Sequence, residues 1–192
     1  SGNSGETLYA SDSVGAVFKS SNQGETWKKI FSSDSPIVKI VARKKGTGTM
    51  FFLGDGGQIF RSDVNGGGFS EITSNISDSI GKDGNLFVGD FDSKGTVYLG
   101  GEPGLIKSSD NGNSWSSISI LNDPGTFPIR ALAVDPLNDR EIIFGAARAI
   151  YRSNDAGENW ASFQLDNSSK IAGVLKFSPT DPNLVYLGLF KK

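Results

Sequence analysis

The commonest side chains able to move protons in this sequence are its carboxylates. There are 21 Asp and Glu among 192 residues, 19 Lys and Arg, and neither histidine nor cysteine. Without those two residues, Ser-His-Asp and Cys-His catalysis, histidine metal sites, zinc–thiolate sites, disulfides and histidine pH switching are closed off. Acid–base work would fall to carboxylates, Tyr or Lys. Two carboxylates flanking a sugar linkage would give glycoside hydrolysis. Asp12, Asp34, Asp55, Glu102 and Asp123 lie in glycine- and serine-rich loops, and Arg148 lies in another; these six are the candidate ligand residues. Each acid has a plainer reading, because short acidic side chains in such loops accept backbone N–H bonds and shape turns. Asp110-Asn111-Gly112-Asn113 and Asp63-Val64-Asn65-Gly66 are oxygen-rich, but neither has the spacing or terminal Glu of a calcium hand. No metal site and no cofactor is expected, and no residue is assigned a catalytic role.

The loops are set by a phrase that the chain repeats. Ser108-Ser109-Asp110-Asn111-Gly112-Asn113-Ser114-Trp115 returns as Ser153-Asn154-Asp155-Ala156-Gly157-Glu158-Asn159-Trp160, and with Asn for Asp as Ser20-Ser21-Asn22-Gln23-Gly24-Glu25-Thr26-Trp27. A worn copy, Ser62 to Phe69, keeps Ser62, Gly66 and Phe69 but has Val64 where the acid stands elsewhere. All three Trp of the chain are used here, and the starting serines recur after about 42, 46 and 45 residues, a period that marks propellers and solenoids. The residue types suit a stapled reverse turn. Asp or Asn accepts the N–H groups that follow it. Gly two places on takes a backbone angle that a Cβ penalises, and Trp brings a large apolar surface back over the turn. Before each copy stands an apolar pair and a base: Val17-Phe18-Lys19, Ile59-Phe60-Arg61, Leu105-Ile106-Lys107 and Ile150-Tyr151-Arg152. The motif therefore predicts a strand–turn–strand hairpin. Its staple residues are Ser20, Asn22, Gly24 and Trp27; Ser62, Gly66 and Phe69; Ser108, Asp110, Gly112 and Trp115; and Ser153, Asp155, Gly157 and Trp160.

Ser-x-Asp-x-Gly-x-x-Trp at this period resembles the Asp-box, or BNR repeat, of sialidases, sortilin-type receptors, xyloglucan-active glycoside hydrolases and many secreted bacterial propellers. The resemblance covers nearly the whole chain. It implies an all-β fold, a β-propeller of four-stranded antiparallel blades, and an extracellular or secreted protein. It also implies that the boxes staple blades on the face away from the ligand. Ligands would then meet the loops joining second to third strands and one blade to the next. A sialidase would further need an arginine cluster, a Tyr nucleophile and its Glu partner. Arg130 and Arg148 lie near the right edge, but Tyr9, Tyr98, Tyr151 and Tyr186 fall in strand interiors, and Phe127-Pro128-Ile129-Arg130 is not the Arg-Ile-Pro signature.

The frame predicts one propeller region over residues 1–192, with blades at roughly 7–31, 36–73, 85–120, 129–165 and a partial blade at 171–190. The chain opens and closes on a second strand, so about four repeats are expected to form part of a larger propeller, with Ile171 to Phe177 available as the inner strand that the first blade lacks. First and second strands are near-continuous apolar runs, as strands sandwiched between neighbouring sheets should be; fourth strands are polar, as rim strands should be. No window of useful length shows helical spacing of apolar residues. Bare blade faces predict self-association. A net charge of −2 gives no electrostatic case for nucleic acid, and no apolar run reaches transmembrane length. Asn75-Ile76-Ser77 and Asn167-Ser168-Ser169 fit the glycosylation pattern, and Arg43-Lys44-Lys45 reads as a solvated turn. The first functional reading is a non-catalytic scaffold that binds a glycan or a protein through its top-face loops. The alternative is part of a glycoside hydrolase, xyloglucanase-like rather than sialidase, using paired carboxylates.

Overall fold

A computed structural model describes residues 7–43, 48–63, 67–166, 169–181 and 183–191. Ser1 to Glu6, Lys44 and Lys45, Val64 to Gly66 and the Asn167-Ser168 pair of one glycosylation pattern lie outside the described residues. The chain divides into two compact units, residues 1–73 and 74–192.

The first unit holds a three-stranded sheet, β1 (Leu8–Ser11), β2 (Ala16–Ser20) and β3 (Lys28–Ser32). It also holds a four-stranded one, β4 (Ile37–Val41), β5 (Phe51–Gly54), β6 (Ile59–Arg61) and β7 (Ser70–Glu71). Both are antiparallel meanders with neighbours in chain order. The core joins Val17 of β2 to Ile37, Met50 and Phe52. Phe31 leaves the rim strand β3 to stack on Phe69, with ring centroids 4.3 Å apart and 11° between planes, and to meet Phe60 at 4.9 Å.

Helix α1 (Thr73–Ile80) follows β7. It is an eight-residue helix where no window of useful length showed helical spacing. Ile72, Ile76 and Ile80 recur every four residues, and Ile72 and Ile76 are buried. Three apolar residues are too short a run for the period to stand out. Asn75, head of the other glycosylation pattern, sits inside this helix and accepts the Ser79 hydroxyl on its carbonyl.

The second unit holds two four-stranded sheets and a two-stranded one. They are β8 (Leu86–Phe91), β9 (Val97–Gly101), β10 (Gly104–Ser108), β11 (Ser116–Ile118); β12 (Ile129–Val134), β13 (Ile142–Ala146), β14 (Ala149–Ser153), β15 (Ala161–Gln164); and β16 (Lys170–Phe177), β17 (Val185–Lys191). β12 is packed on both sides. Ile129, Leu132 and Val134 join Tyr98 and Leu105 of the preceding sheet, while Ala131 and Ala133 join Ala172, Leu175 and Phe177 of the following one. β16, offered above as the first blade's inner strand, pairs with β17 in a sheet of its own.

The all-β expectation and the four-stranded antiparallel sheets hold, and the arrangement fits part of a propeller. Burial is graded along each meander. Second strands β5, β9 and β13 are buried throughout, whereas the rim strands β7, β11 and β15 expose nearly every residue. First strands differ: β4 and β8 are half-open, whereas β12, packed between two sheets, is buried at every residue but Arg130.

Candidate functional site

In an antiparallel meander successive turns alternate between the two ends of the sheet. The repeated Trp turns follow third strands, so each lies at the opposite end of its sheet from the second-to-third loops and the loops into the next blade. Both ends are candidates for a site, and their chemistry differs.

At the turn end the side chains satisfy one another. Ser108 is buried; its Oγ donates to Asp110 Oδ1 at 2.8 Å and accepts the Gly112 N–H at 2.8 Å. Asp110 Oδ1 also takes the N–H groups of Asn113 and Ser114 at 3.1 and 2.9 Å, and Oδ2 takes the Ser114 hydroxyl at 2.6 Å. Ser153 and Asp155 repeat this, with Gly157 N–H on Ser153 Oγ at 2.8 Å and the Asn159 backbone and side-chain amides on Asp155. Ser20 and Asn22 do the same with Gly24 and Thr26. The bonds from the residue four places on, Ser114 or Asn159, with those from the motif serine, hold the Asp110 and Asp155 carboxyls down at about 2. The residue before each motif glycine is also in the left-handed region: Gln23, Asn111 and Ala156 have φ of 60°, 60° and 64°. The turn thus demands positive φ twice, and the sequence supplies Gly for the second place only. The worn copy rebuilds its staple one residue early. Asp63, not position 64, accepts the Gly67 N–H at 2.8 Å, and Ser62 donates to the Asp63 carbonyl; Gly66 lies outside the described residues. The indoles close the turns to different degrees, Trp115 being 5% exposed and Trp27 43%. Trp160 donates from Nε1 to the Ser119 carbonyl at 2.8 Å.

A concavity of about 540 Å³ lies at this end of the second unit, lined by Glu141, Arg152, Asn154, Asn159, Trp160 and Ala161. Its charges are paired internally, with Arg152 Nε and Nη2 at 2.9 and 2.8 Å from Glu141 Oε2.

The same end carries two further acids and a serine in matching positions. Asp92, Asp135 and Ser178 stand just after the first strands β8, β12 and β16, and all three are buried. Asp92 accepts the N–H groups of Gly95 and Thr96, and Asp135 that of Leu137. Asp139 reaches across to the neighbouring sheet, accepting the Ser93 N–H at 3.0 Å and its hydroxyl, with Lys94 Nζ at 3.2 Å. The Ser93 hydroxyl, with Lys94 assisting, draws the Asp139 carboxyl below the ordinary range. The signal was present in the repeated phrases Phe91-Asp92, Val134-Asp135 and Phe177-Ser178.

The loop end holds the six candidate residues, divided between the two units. In the first unit Asp12 accepts the N–H groups of Val14 and Ala16 at 3.0 and 2.8 Å, which spends it on its own turn. Asp34 and Asp55 are exposed and, among the described residues, neither carboxylate takes a hydrogen bond. Their loops meet, since the Asp55 N–H donates to the Pro36 carbonyl at 2.9 Å. In the second unit Glu102 is held by the Asn85 N–H at 2.8 Å. Asp123 accepts the Gly125 N–H and the Thr126 hydroxyl, and the Thr126 bond leads in lowering its carboxyl. Arg148 is exposed beside a groove of about 440 Å³, whose charged lining is Arg130, Arg148 and Lys170. Arg130, weighed in the sequence as part of an arginine cluster, lies with its guanidinium 3.8 Å from the centroid of Phe87. Of the tyrosines, Tyr98 is buried, and burial first, then Asp92 and Asp139, pushes its hydroxyl up to about 12. No cluster of three or more metal-ligating acids exists among the described residues, and no helix among them is long and apolar enough to cross a membrane.

No family model matches the chain. A xyloglucanase of Hypocrea jecorina is 25% identical over 197 residues, 96% of this chain and 22% of that protein. The GH74 xyloglucanase of Xanthomonas campestris superposes with a TM-score of 0.71 at 18% identity, covering 95% of this chain and 34% of its own. YCF48 bound to a D1 peptide superposes at 0.67 and 17% identity, covering 96% and 59%. The likeness is one of β-propeller fold. The chain spans about a fifth of the curated relative it matches, 22% of its length.

Proposed function

We propose that the chain is a binding segment of a β-propeller built on Asp-box turns, extracellular by that resemblance. It engages a glycan or protein partner through its loop end, where the candidate carboxylates described in its second unit are bound to neighbouring amides and hydroxyls. The observation that carries this reading is how the loop carboxylates are used. Asp12, Glu102 and Asp123 are each bound to amides or hydroxyls of nearby loops, and the groove beside Arg148 has cations and no acid among its described lining. A glycosidase needs one carboxyl kept protonated and a second facing it across the sugar. The fold serves both chemistries among its neighbours, which include xyloglucanases and a propeller bound to a peptide.

One observation favours the alternative. Asp34 and Asp55 are exposed on loops that touch, so the first unit retains two acids not committed to shaping turns. Incubation of the chain with xyloglucan, followed by reducing-end measurement, tests the two readings. The binding reading expects no release above a blank. Release lost in Asp34→Asn or Asp55→Asn would establish the hydrolase reading instead.

A further inference from the structure

We infer that the groove at the loop end of the second unit is a docking site for an acidic peptide, whose carboxylate it takes between Arg130, Arg148 and Lys170 while an adjacent apolar side chain sits against Phe127, Pro128 and Ile171. This deepens the binding reading above and rests on it.

Charge is segregated at this groove. The chain as a whole carries −2, yet this groove gathers three cations and, among its described lining, no acid. A cleft lined by one sign of charge concentrates the opposite sign of ligand. The nearby Asp123 turns both its oxygens to donors of its own loop, the Gly125 N–H and the Thr126 hydroxyl, and is not part of the groove's described lining.

The groove's geometry suits a planar anion. Arg130 is the second residue of β12, and its guanidinium lies over the Phe87 ring of β8 at 3.8 Å. Stacking on an aromatic face fixes the plane of the guanidinium and leaves its N–H edge for a planar acceptor, which a carboxylate matches with two parallel bonds. The loop that forms the opposite wall is braced before any ligand arrives. Asn122 Nδ2 donates to the Phe127 carbonyl at 2.9 Å, and the Phe127 N–H donates to the Asp123 carbonyl at 2.9 Å. Phe127 is thereby held 47% exposed, and a braced wall lowers the ordering cost of binding.

The apolar part decides between kinds of anionic ligand. A sugar acid presents hydroxyls around its ring, and recognising them takes side chains that both donate and accept. The described lining offers only the hydroxyls of Thr126 and Ser169 for that, and no carboxylate or amide side chain. Phe127, Pro128, Ile171 and Ala172 instead supply a surface for an aliphatic or aromatic side chain next to the anion.

The test is selection from a random dodecapeptide library with free C-termini on the immobilised chain, followed by fluorescence anisotropy with a selected peptide. The inference expects selected sequences to be rich in Asp, Glu or a terminal carboxylate beside Leu, Ile or Phe. It expects Arg130→Glu to weaken binding by about tenfold or more, and affinity to fall as salt rises. Amidating the C-terminus separates a terminal from a side-chain carboxylate. Because Arg130 also packs on Phe87, the exposed Arg148→Glu and Lys170→Glu variants are measured in parallel, with thermal unfolding as the control for folding. Failure to select any peptide overturns the inference, as does binding unchanged in all three variants or tighter binding of polygalacturonate that needs the same cations. Peptides that bind without needing these cations would sink the groove assignment yet leave the broader binding reading standing.

Discussion

At the scale of single residues, the Trp turns are governed by two demands, an acceptor for three or four donors and a backbone that turns left-handed twice. The acceptor demand makes stability depend on pH. Asp110 and Asp155 have carboxyls lowered to about 2 in the folded chain, against about 3.9 when unfolded. A lowered folded value contributes stability that is fully present above the unfolded value and is lost as pH falls through the folded one. Denaturation midpoints should therefore drop as pH goes from about 4 to 2, and Asp110→Asn with Asp155→Asn should flatten that drop; an equal acid slope in the double variant would contradict the assignment. The backbone demand falls hardest on two neighbours. Ala156 holds φ of 64°, so Ala156→Gly should stabilise or be neutral, within about 1 kcal/mol, in urea unfolding. Gly157 has φ of 94°, and an added Cβ would stand 2.6 Å from Ile118 Cγ2. Gly157→Ala should cost about 2 kcal/mol or more, the strain of the angle adding to overpacking, and a cost near zero would show the turn to be pliable.

At the scale of elements, sheets meet where the second strand ends in glycine. A Cβ on Gly100 would stand 2.7 Å from Ile129 Cγ2, and one on Gly145 would stand 2.5 Å from the Ala172 Cβ. In both cases the obstacle is the first strand of the next sheet. Gly145→Val should destabilise the second unit by about 1–3 kcal/mol, read as a lower urea midpoint; tolerance of valine would mean that β13 and β16 separate easily. The strands themselves were legible because their periods are simple. Buried second strands such as Val97–Gly101 and Ile142–Ala146 are unbroken apolar runs, and the Trp phrase marks each third-to-fourth turn. Three things were not legible. Helix α1 rests on three isoleucines in nine residues, too few for a period to emerge. The loop carboxylates looked alike in sequence, and only the fold separates Asp12, Glu102 and Asp123, each fixed by neighbouring donors, from Asp34 and Asp55, which are not. The Arg130–Phe87 stack joins residues from two sheets, which no local pattern could reveal.

At the scale of the whole molecule, β17 is the outermost strand of a two-stranded sheet and leaves Tyr186, Leu187, Leu189 and Phe190 exposed. An apolar edge strand with unpaired backbone groups is a template for another copy. Sedimentation should show mass rising with concentration, and Leu187→Lys with Phe190→Glu should return the chain to a single monomeric species; a monomer at every concentration would contradict this. The functional claim, that ligands meet the loop end while the Trp turns only hold sheets together, has a direct test. Backbone amide shifts of the isotopically labelled chain are followed by NMR during titration with a selected acidic peptide. Shifts confined to residues around Thr126 to Arg130, Arg148 and Lys170 are the expected result. Shifts centred on Glu141, Arg152 and Trp160, at the opposite end, would contradict it.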